Sequence, residues 1–231
     1  MNNAAVILPL SVLFDVFCIA VAITLIVKYW NSDRTLVTFS HLLTDAESGD
    51  RRVRDRDWFS TARVVAVALW VVFTSLLLST LIIASDANVA VVLFAVIAVV
   101  SLLPVVLMNG VYGVPSIFSC RGACSSTLHG VAAAIFFVCF PIIFGCLAHQ
   151  LQETIFYAFA AVMAVVLAGL ATCTAIRNTS LKGRNESKVA SLIAALEVAM
   201  MGLNASAFLA LGIRAYSDLL DENQQDDAKG A

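Results

Sequence analysis

Charged residues are scarce in this chain of 231 residues: only 13% are Asp, Glu, Lys or Arg, against 61% hydrophobic residues. A soluble domain of this length needs about a quarter of its residues charged to cover its surface. The shortage of charge therefore excludes a soluble enzyme domain, and the wealth of apolar residues excludes a disordered chain. Six cysteines are also too few for a secreted disulfide scaffold.

The few charges are unevenly placed and leave six long apolar stretches, at residues 4–27, 64–85, 87–120, 122–152, 154–176 and 189–213. A membrane-spanning helix needs roughly 20 apolar residues to cross a hydrocarbon core of about 30 Å. The sequence therefore predicts an all-α polytopic membrane protein, a bundle of six transmembrane helices. The predicted spans cover about residues 4–29, 62–85, 88–108, 128–149, 154–176 and 189–215.

Two segments outside the spans have a distinct composition. Residues 30–61 form a charged loop within a transmembrane domain that is expected to cover residues 1–217. Residues 218–231 combine five acidic residues with few apolar ones, which predicts an acidic disordered tail.

Basic residues indicate the orientation in the membrane. Twelve of the 14 Lys and Arg residues lie in or beside loops 1, 3 and 5, and the exceptions are Arg214 and Lys229. Because Lys and Arg resist translocation, loops 1, 3 and 5 are expected to be cytoplasmic, with both termini outside or lumenal. Glycosylation sequons at Asn178 and Asn185 lie in loop 5 and, if used, would invert this topology.

Two acidic residues lie inside predicted spans, Asp15 in the first and Glu197 in the sixth. Inserting an Asp at mid-membrane costs about 2.5–3.5 kcal/mol, and no Lys or Arg lies well inside a span to pair with either acid. Counted from the cytoplasmic ends, their depths differ by about 6 Å, which is compatible with contact. Asn204 shares the helix face of Glu197. Two interpretations stay open: interhelical hydrogen bonds, and an ion or proton site formed by Asp15, Glu197 and Asn204.

Small residues recur at four-residue spacing on the last two predicted helices. Such residues let helices approach closely in lipid, where van der Waals packing drives association. We expect the two stripes to meet, or to engage adjacent helices or a partner subunit. The stripes consist of Ala160, Ala164 and Ala168 on the fifth span and Gly202, Ser206 and Ala210 on the sixth.

Catalytic signatures are missing: no Gly-rich phosphate loop, no metal-ligand cluster and no Ser-His-acid set stands out. We therefore expect no cofactor, no metal and no catalytic residues, and an enzyme is the less favoured class. The net charge of −2 gives no basic field that would attract nucleic acid.

The favoured function is that of a multi-pass integral membrane protein acting as a non-catalytic scaffold, accessory subunit or trafficking factor through helix–helix contacts. Its expected partners are the lipid bilayer and other membrane protein subunits. The alternative is a small proton- or cation-coupled transporter or channel that uses the intramembrane acids Asp15 and Glu197.

Overall fold

A computed structural model describes residues 4–30, 57–84, 88–108, 123–180 and 184–230, and these residues form six α-helices. The expected all-helical fold is confirmed. In chain order the helices are α1 (Ala4–Trp30), α2 (Asp57–Ala84), α3 (Val89–Met108), α4 (Ala123–Leu151), α5 (Thr154–Ser180) and α6 (Arg184–Gly230).

Three of these helices are long and apolar enough to cross a membrane: α4 at Gly130–Leu151, α5 at Thr154–Ile176 and α6 at Ala195–Asp221. The other three contain shorter apolar stretches among the described residues, at Val6–Val21, Ala68–Ile82 and Val89–Val105. The structure therefore establishes a helical protein with three candidate membrane spans. Crossing of the bilayer by all six helices stays a prediction.

The helices are arranged in a ring that follows the chain. Each helix packs against the next one in sequence, and α6 packs against α1, which closes the ring. In addition, α4 touches α6 across the ring. Short connections explain part of this order, since two to four residues join α2 to α3, α4 to α5 and α5 to α6, and such connections make consecutive helices antiparallel neighbours.

The turn between α4 and α5 shows how one end of the ring is fixed. Gln152 has a φ of 56° and its side-chain Nε2 donates a hydrogen bond to the carbonyl of His149 at 2.6 Å. Asn88 caps α3, because its Oδ1 accepts the N–H of Ala90 at 3.1 Å, and its Nδ2 donates to Oε1 of Gln150 at 3.3 Å. These bonds hold the start of α3 beside the end of α4.

The contact between α1 and α6 brings the two backbones close together at Gly212. A Cβ atom at this position would lie 3.0 Å from Cα of Leu8 and 3.3 Å from Oγ of Ser11. Farther along α1, Phe14 shares a cavity with Asn204, which lies earlier in α6. The two helices therefore run antiparallel, with Gly212 level with the first turns of α1.

Two predicted boundaries differ from the structure. Helix α6 continues to Gly230, so the segment expected as a disordered tail is helical up to that residue. Residues 215–229 contain no Pro or Gly and several good helix formers, so the helix propagates beyond the apolar span. Helix α2 begins at Asp57, inside the predicted loop 30–61, and residues 31–56 of that loop lie outside the described part of the chain.

The centre of the ring is filled by aromatic side chains. Phe136, Phe140 and Phe144 are buried on one face of α4 at four-residue spacing. Phe208 of α6 lies edge-on to two of them, with ring centroids 6.3 Å from Phe140 and 5.4 Å from Phe144. Trp70 of α2 packs edge-on to Phe136 at 5.4 Å. Each such pair contributes about 0.5–1.5 kcal/mol beyond its burial, so this aromatic core ties α2, α4 and α6 together.

Replacing Gly212 with alanine tests the α1–α6 contact. We expect Gly212→Ala to lower the free energy of unfolding by about 1–2 kcal/mol, because overpacking against the Leu8 backbone outweighs the gain in helix propensity. The measurement is reversible unfolding in mixed micelles.

Gly202→Ala in the same helix is the matched control, since nothing lies within 4 Å of a Cβ atom at position 202. This variant should keep or raise stability through its better helix propensity. Equal effects of the two substitutions would contradict the close approach at Gly212.

Candidate functional site

A small cavity lies where α1, α2, α4 and α6 meet. Its volume is about 10 Å³, measured as the space open to the centre of a water molecule. Its polar wall consists of Thr74 from α2 and Asn204 from α6, with Met201 beside them. Aromatic rings form the remaining wall, contributed by Phe14, Trp70, Phe136, Phe140 and Phe208. We call it the Thr74–Asn204 cavity.

Helical periodicity brings these side chains to one place. On α6, Met201, Asn204 and Phe208 follow each other at spacings of three and four residues and therefore lie on one face. This is the face on which the sequence placed Glu197, four residues before Met201. Trp70 and Thr74 are likewise four residues apart on α2.

Thr74 and Asn204 are buried polar residues with unsatisfied groups. Their exposed fractions are 2% and 4%, and neither Oγ1 of Thr74 nor Oδ1 of Asn204 has a hydrogen-bond partner among the described residues. A buried polar group without a partner costs about 1–3 kcal/mol. Both residues line the same cavity, so a polar ligand that satisfied these groups would be stabilising there.

Several other hydroxyls in the helices bond to their own backbone, unlike Thr74. Ser11 donates to the carbonyl of Ile7 at 2.7 Å, Ser101 to that of Ile97 at 2.7 Å, and Thr80 to that of Leu77 at 2.8 Å. A hydroxyl in a helix can satisfy itself in this way at little cost. Thr74 makes no such bond in the structure.

Asp15 and Glu197 do not belong to this cavity. Both side chains are half-buried, neither lines the cavity, and Glu197 takes part in another interaction. Since Gly212 is level with Leu8 and Ser11, Asp15 lies about 8 Å deeper on α1 and Glu197 about 22 Å deeper on α6. At this rise the backbones at Asp15 and Glu197 are therefore offset by about 14 Å along the helices.

The sequence predicted a difference of about 6 Å, counted from Val27 and Val189 on the assumption that these two residues lie at one level. The helical rise from Gly212 gives a larger offset, and contact between the two acids stays a prediction. Helix α6 begins at Arg184 and is far longer than α1, so the two ends are offset. Of the three residues predicted to form an ion site, Asn204 lines the Thr74–Asn204 cavity, whereas Asp15 and Glu197 do not.

Much of the two small-residue stripes is exposed or has open space beside it. Ala164 and Ala168 of α5 and Ser206 of α6 are exposed, whereas Ala160 and Ala210 pack against the core. Gly202 is half-buried, with open space where a Cβ atom would lie.

The contacts of α5 with its neighbours involve one stripe residue and one glycine outside the stripes. Cβ of Ala160 lies 4.0 Å from the place of a Cβ on Gly145 of α4, and a Cβ on Gly169 of α5 would lie 3.6 Å from Cδ1 of Leu196 on α6. Helix α5 therefore turns part of its small-residue face away from both neighbours.

An ion pair holds the end of the ring near the α4–α5 turn. Arg214 of α6 lies 2.9 Å from Glu153 in the turn and 3.2 Å from Asp218 in its own helix. All three side chains are more than a third exposed, so the pair contributes about 1 kcal/mol at most. The ion pair lies at one end of the bundle, beside other polar side chains.

The sequence analysis missed Thr74, Trp70, Phe136 and Phe140. A signal for the aromatic residues was present, because Phe136, Phe140 and Phe144 repeat at the spacing of one helical turn. Thr74 gave a weaker signal, as a hydroxyl in an otherwise apolar stretch is most often bonded to its own helix.

Known proteins offer no guide to the role of this cavity. A comparison of the chain with protein-family models, with curated proteins and with solved structures finds no match. Among the described residues, no three His, Cys, Asp or Glu side chains come together as metal ligands do. Function is therefore inferred from the geometry of these residues.

A double-mutant cycle on the two acids tests their separation. We expect Asp15→Asn and Glu197→Gln to have effects on the unfolding free energy that add within about 0.5 kcal/mol, because sites more than about 10 Å apart are independent. The measurement is the unfolding of both single variants and the double variant at two pH values. Carboxyls that shared a proton would instead show a coupling above about 1 kcal/mol that changes with pH.

Proposed function

We propose that this chain is a multi-pass membrane protein that crosses the bilayer with all six helices. Support comes from the ring of consecutive helices, since the α4, α5 and α6 spans need neighbours of similar length to complete it. Helices α1 and α2 have 27 and 28 residues and α3 has 20, which at 1.5 Å per residue suffices for a core of about 30 Å.

In the proposed orientation, loops 1, 3 and 5 face the cytoplasm and both termini lie outside or in a lumen. The basic residues of the sequence support it, with twelve of 14 near those loops. Arg214, one of the two exceptions, is paired with Glu153 and Asp218, so its charge is partly balanced on the non-cytoplasmic side.

Within the membrane, we propose that the protein acts without catalysis, as a scaffold, accessory subunit or trafficking factor. The observation that carries this proposal is the position of the two intramembrane acids. The backbones at Asp15 and Glu197 are offset by about 14 Å along the helices, and neither residue lines the Thr74–Asn204 cavity, which has room for about one water molecule. This arrangement favours helix contacts over the alternative of a proton- or cation-coupled transporter.

Helix α5 is the proposed surface for partner proteins. Only 6% of its apolar span is buried, against 50% for the span of α4 and 39% for that of α6. Ala164 and Ala168 on its exposed face would let a second helix approach closely. The lipid bilayer covers this face when no partner is bound.

Photo-crosslinking in native membranes tests the proposed role of α5. A photoreactive amino acid at position 164 or 168 should give adducts with a protein of defined mass. The same group at Leu103, which is 61% exposed on α3, should give lipid adducts only. A further variant, Ala164→Phe/Ala168→Phe, should lose co-purification of that protein while its melting temperature stays unchanged, because both side chains are exposed.

The contrary result would be lipid adducts alone at all three positions, together with proton or cation flux in proteoliposomes that Asp15→Asn or Glu197→Gln abolishes. That outcome would contradict the proposed scaffold function and support the transporter function instead.

A further inference from the structure

The Thr74–Asn204 cavity combines two features that together define a ligand. It offers one acceptor, Oδ1 of Asn204, and one hydroxyl, Oγ1 of Thr74, which can donate or accept. These two groups come from α2 and α6, which are not neighbours in the ring. They make no hydrogen bond to each other, yet they line a single cavity.

The size of the cavity limits the ligand to about one water molecule. Its volume of about 10 Å³ is close to the smallest that holds a water, whose oxygen needs two or more polar partners. A larger ligand would have to displace the rings of Phe14, Phe136 or Phe140, which are almost fully buried. The volume of the cavity and its polar groups therefore both indicate a water molecule as the ligand.

The wall of the cavity also indicates that the ligand is neutral. No acidic or basic side chain lines it. A cation that moved from water into this cavity would exchange its hydration shell for contacts with two neutral oxygens and the faces of the rings. Burying an uncompensated charge is costly. Aromatic rings attract cations, but this attraction is modest compared with the loss of hydration.

We propose that this cavity binds one water molecule, which donates a hydrogen bond to Oδ1 of Asn204 and shares a second with the hydroxyl of Thr74. The water thereby joins α2 to α6 through the middle of the ring. It also explains why Thr74 does not bond to its own helix as Ser11, Thr80 and Ser101 do. The site is independent of any partner that binds to α5.

A double-mutant cycle with Thr74→Val and Asn204→Leu tests the bridge. Each substitution keeps a similar volume and removes one partner of the water. Each should lower the melting temperature by about 2–6 °C for a chain of this size, and the double variant should lose clearly less than the sum, because either change already breaks the bridge. Thr74→Ser keeps a hydroxyl and should retain most of the stability.

Thr80→Val is the matched control on α2, since the Thr80 hydroxyl is bonded to the Leu77 carbonyl. Its effect should add to that of Asn204→Leu. Additive effects of Thr74→Val and Asn204→Leu would overturn the bridge.

Magnetisation transfer from water identifies the ligand directly. In lipid nanodiscs with methyl-labelled threonine, the Thr74 methyl should receive magnetisation from a water with a long residence time, and Asn204→Leu should abolish it. No transfer in the unmodified chain would overturn the proposal. So would a rise in melting temperature in sodium, potassium or ammonium chloride over choline chloride at equal ionic strength, because that result would identify a cation as the ligand.

Discussion

The approach of α1 to α6 at Gly212 is the contact on which the rest of the structure depends. A row of six consecutive helices has two free edges unless its first and last helices pack together. Here they do, and the two backbones come so close at Gly212 that a Cβ atom there would crowd the other helix. In lipid, where apolar surface is not driven inward, such close packing supplies much of the association energy. The contact also sets the depth of every side chain on α6 relative to those on α1, and hence the separation of Asp15 from Glu197.

Closure of the ring leaves an interior that is aromatic and nearly closed. The aromatic rings on α4 pack against Trp70 and Phe208. The Thr74–Asn204 cavity lies among these rings and has a polar wall. The large buried rings leave room in this cavity for about one water. The outer face of α5 differs in kind: it is exposed, rich in alanine and free to meet other helices.

Much of the fold could be predicted from the gaps between charges, because a helix in lipid tolerates few of them. The bounds of α1 to α5 lie within about five residues of the predicted spans, whereas the end of α6 does not, since helix propensity continues where hydropathy stops. It was harder to predict which face of each helix is buried and which is exposed. An apolar side chain has the same preference for lipid and for protein, so spacing alone could not show that Ala164 and Ala168 are exposed while Ala160 is packed. Asn204 was recognised because it shares a helix face with Glu197, but its neighbour Thr74 could be found only from the register of α2 against α6.

The most direct test of the six-helix arrangement is to determine on which side of the membrane each connection between helices lies. Single cysteines are placed in an otherwise cysteine-free chain and labelled on intact cells or sealed vesicles with a membrane-impermeant maleimide. Six crossings predict that successive connections alternate between the two faces, with the first, third and fifth protected from outside. Two successive connections on one face would contradict the six-helix bundle, because the helix between them would not cross the membrane. The five substitutions are Ser48→Cys, Ser85→Cys, Ser116→Cys, Gln152→Cys and Lys182→Cys.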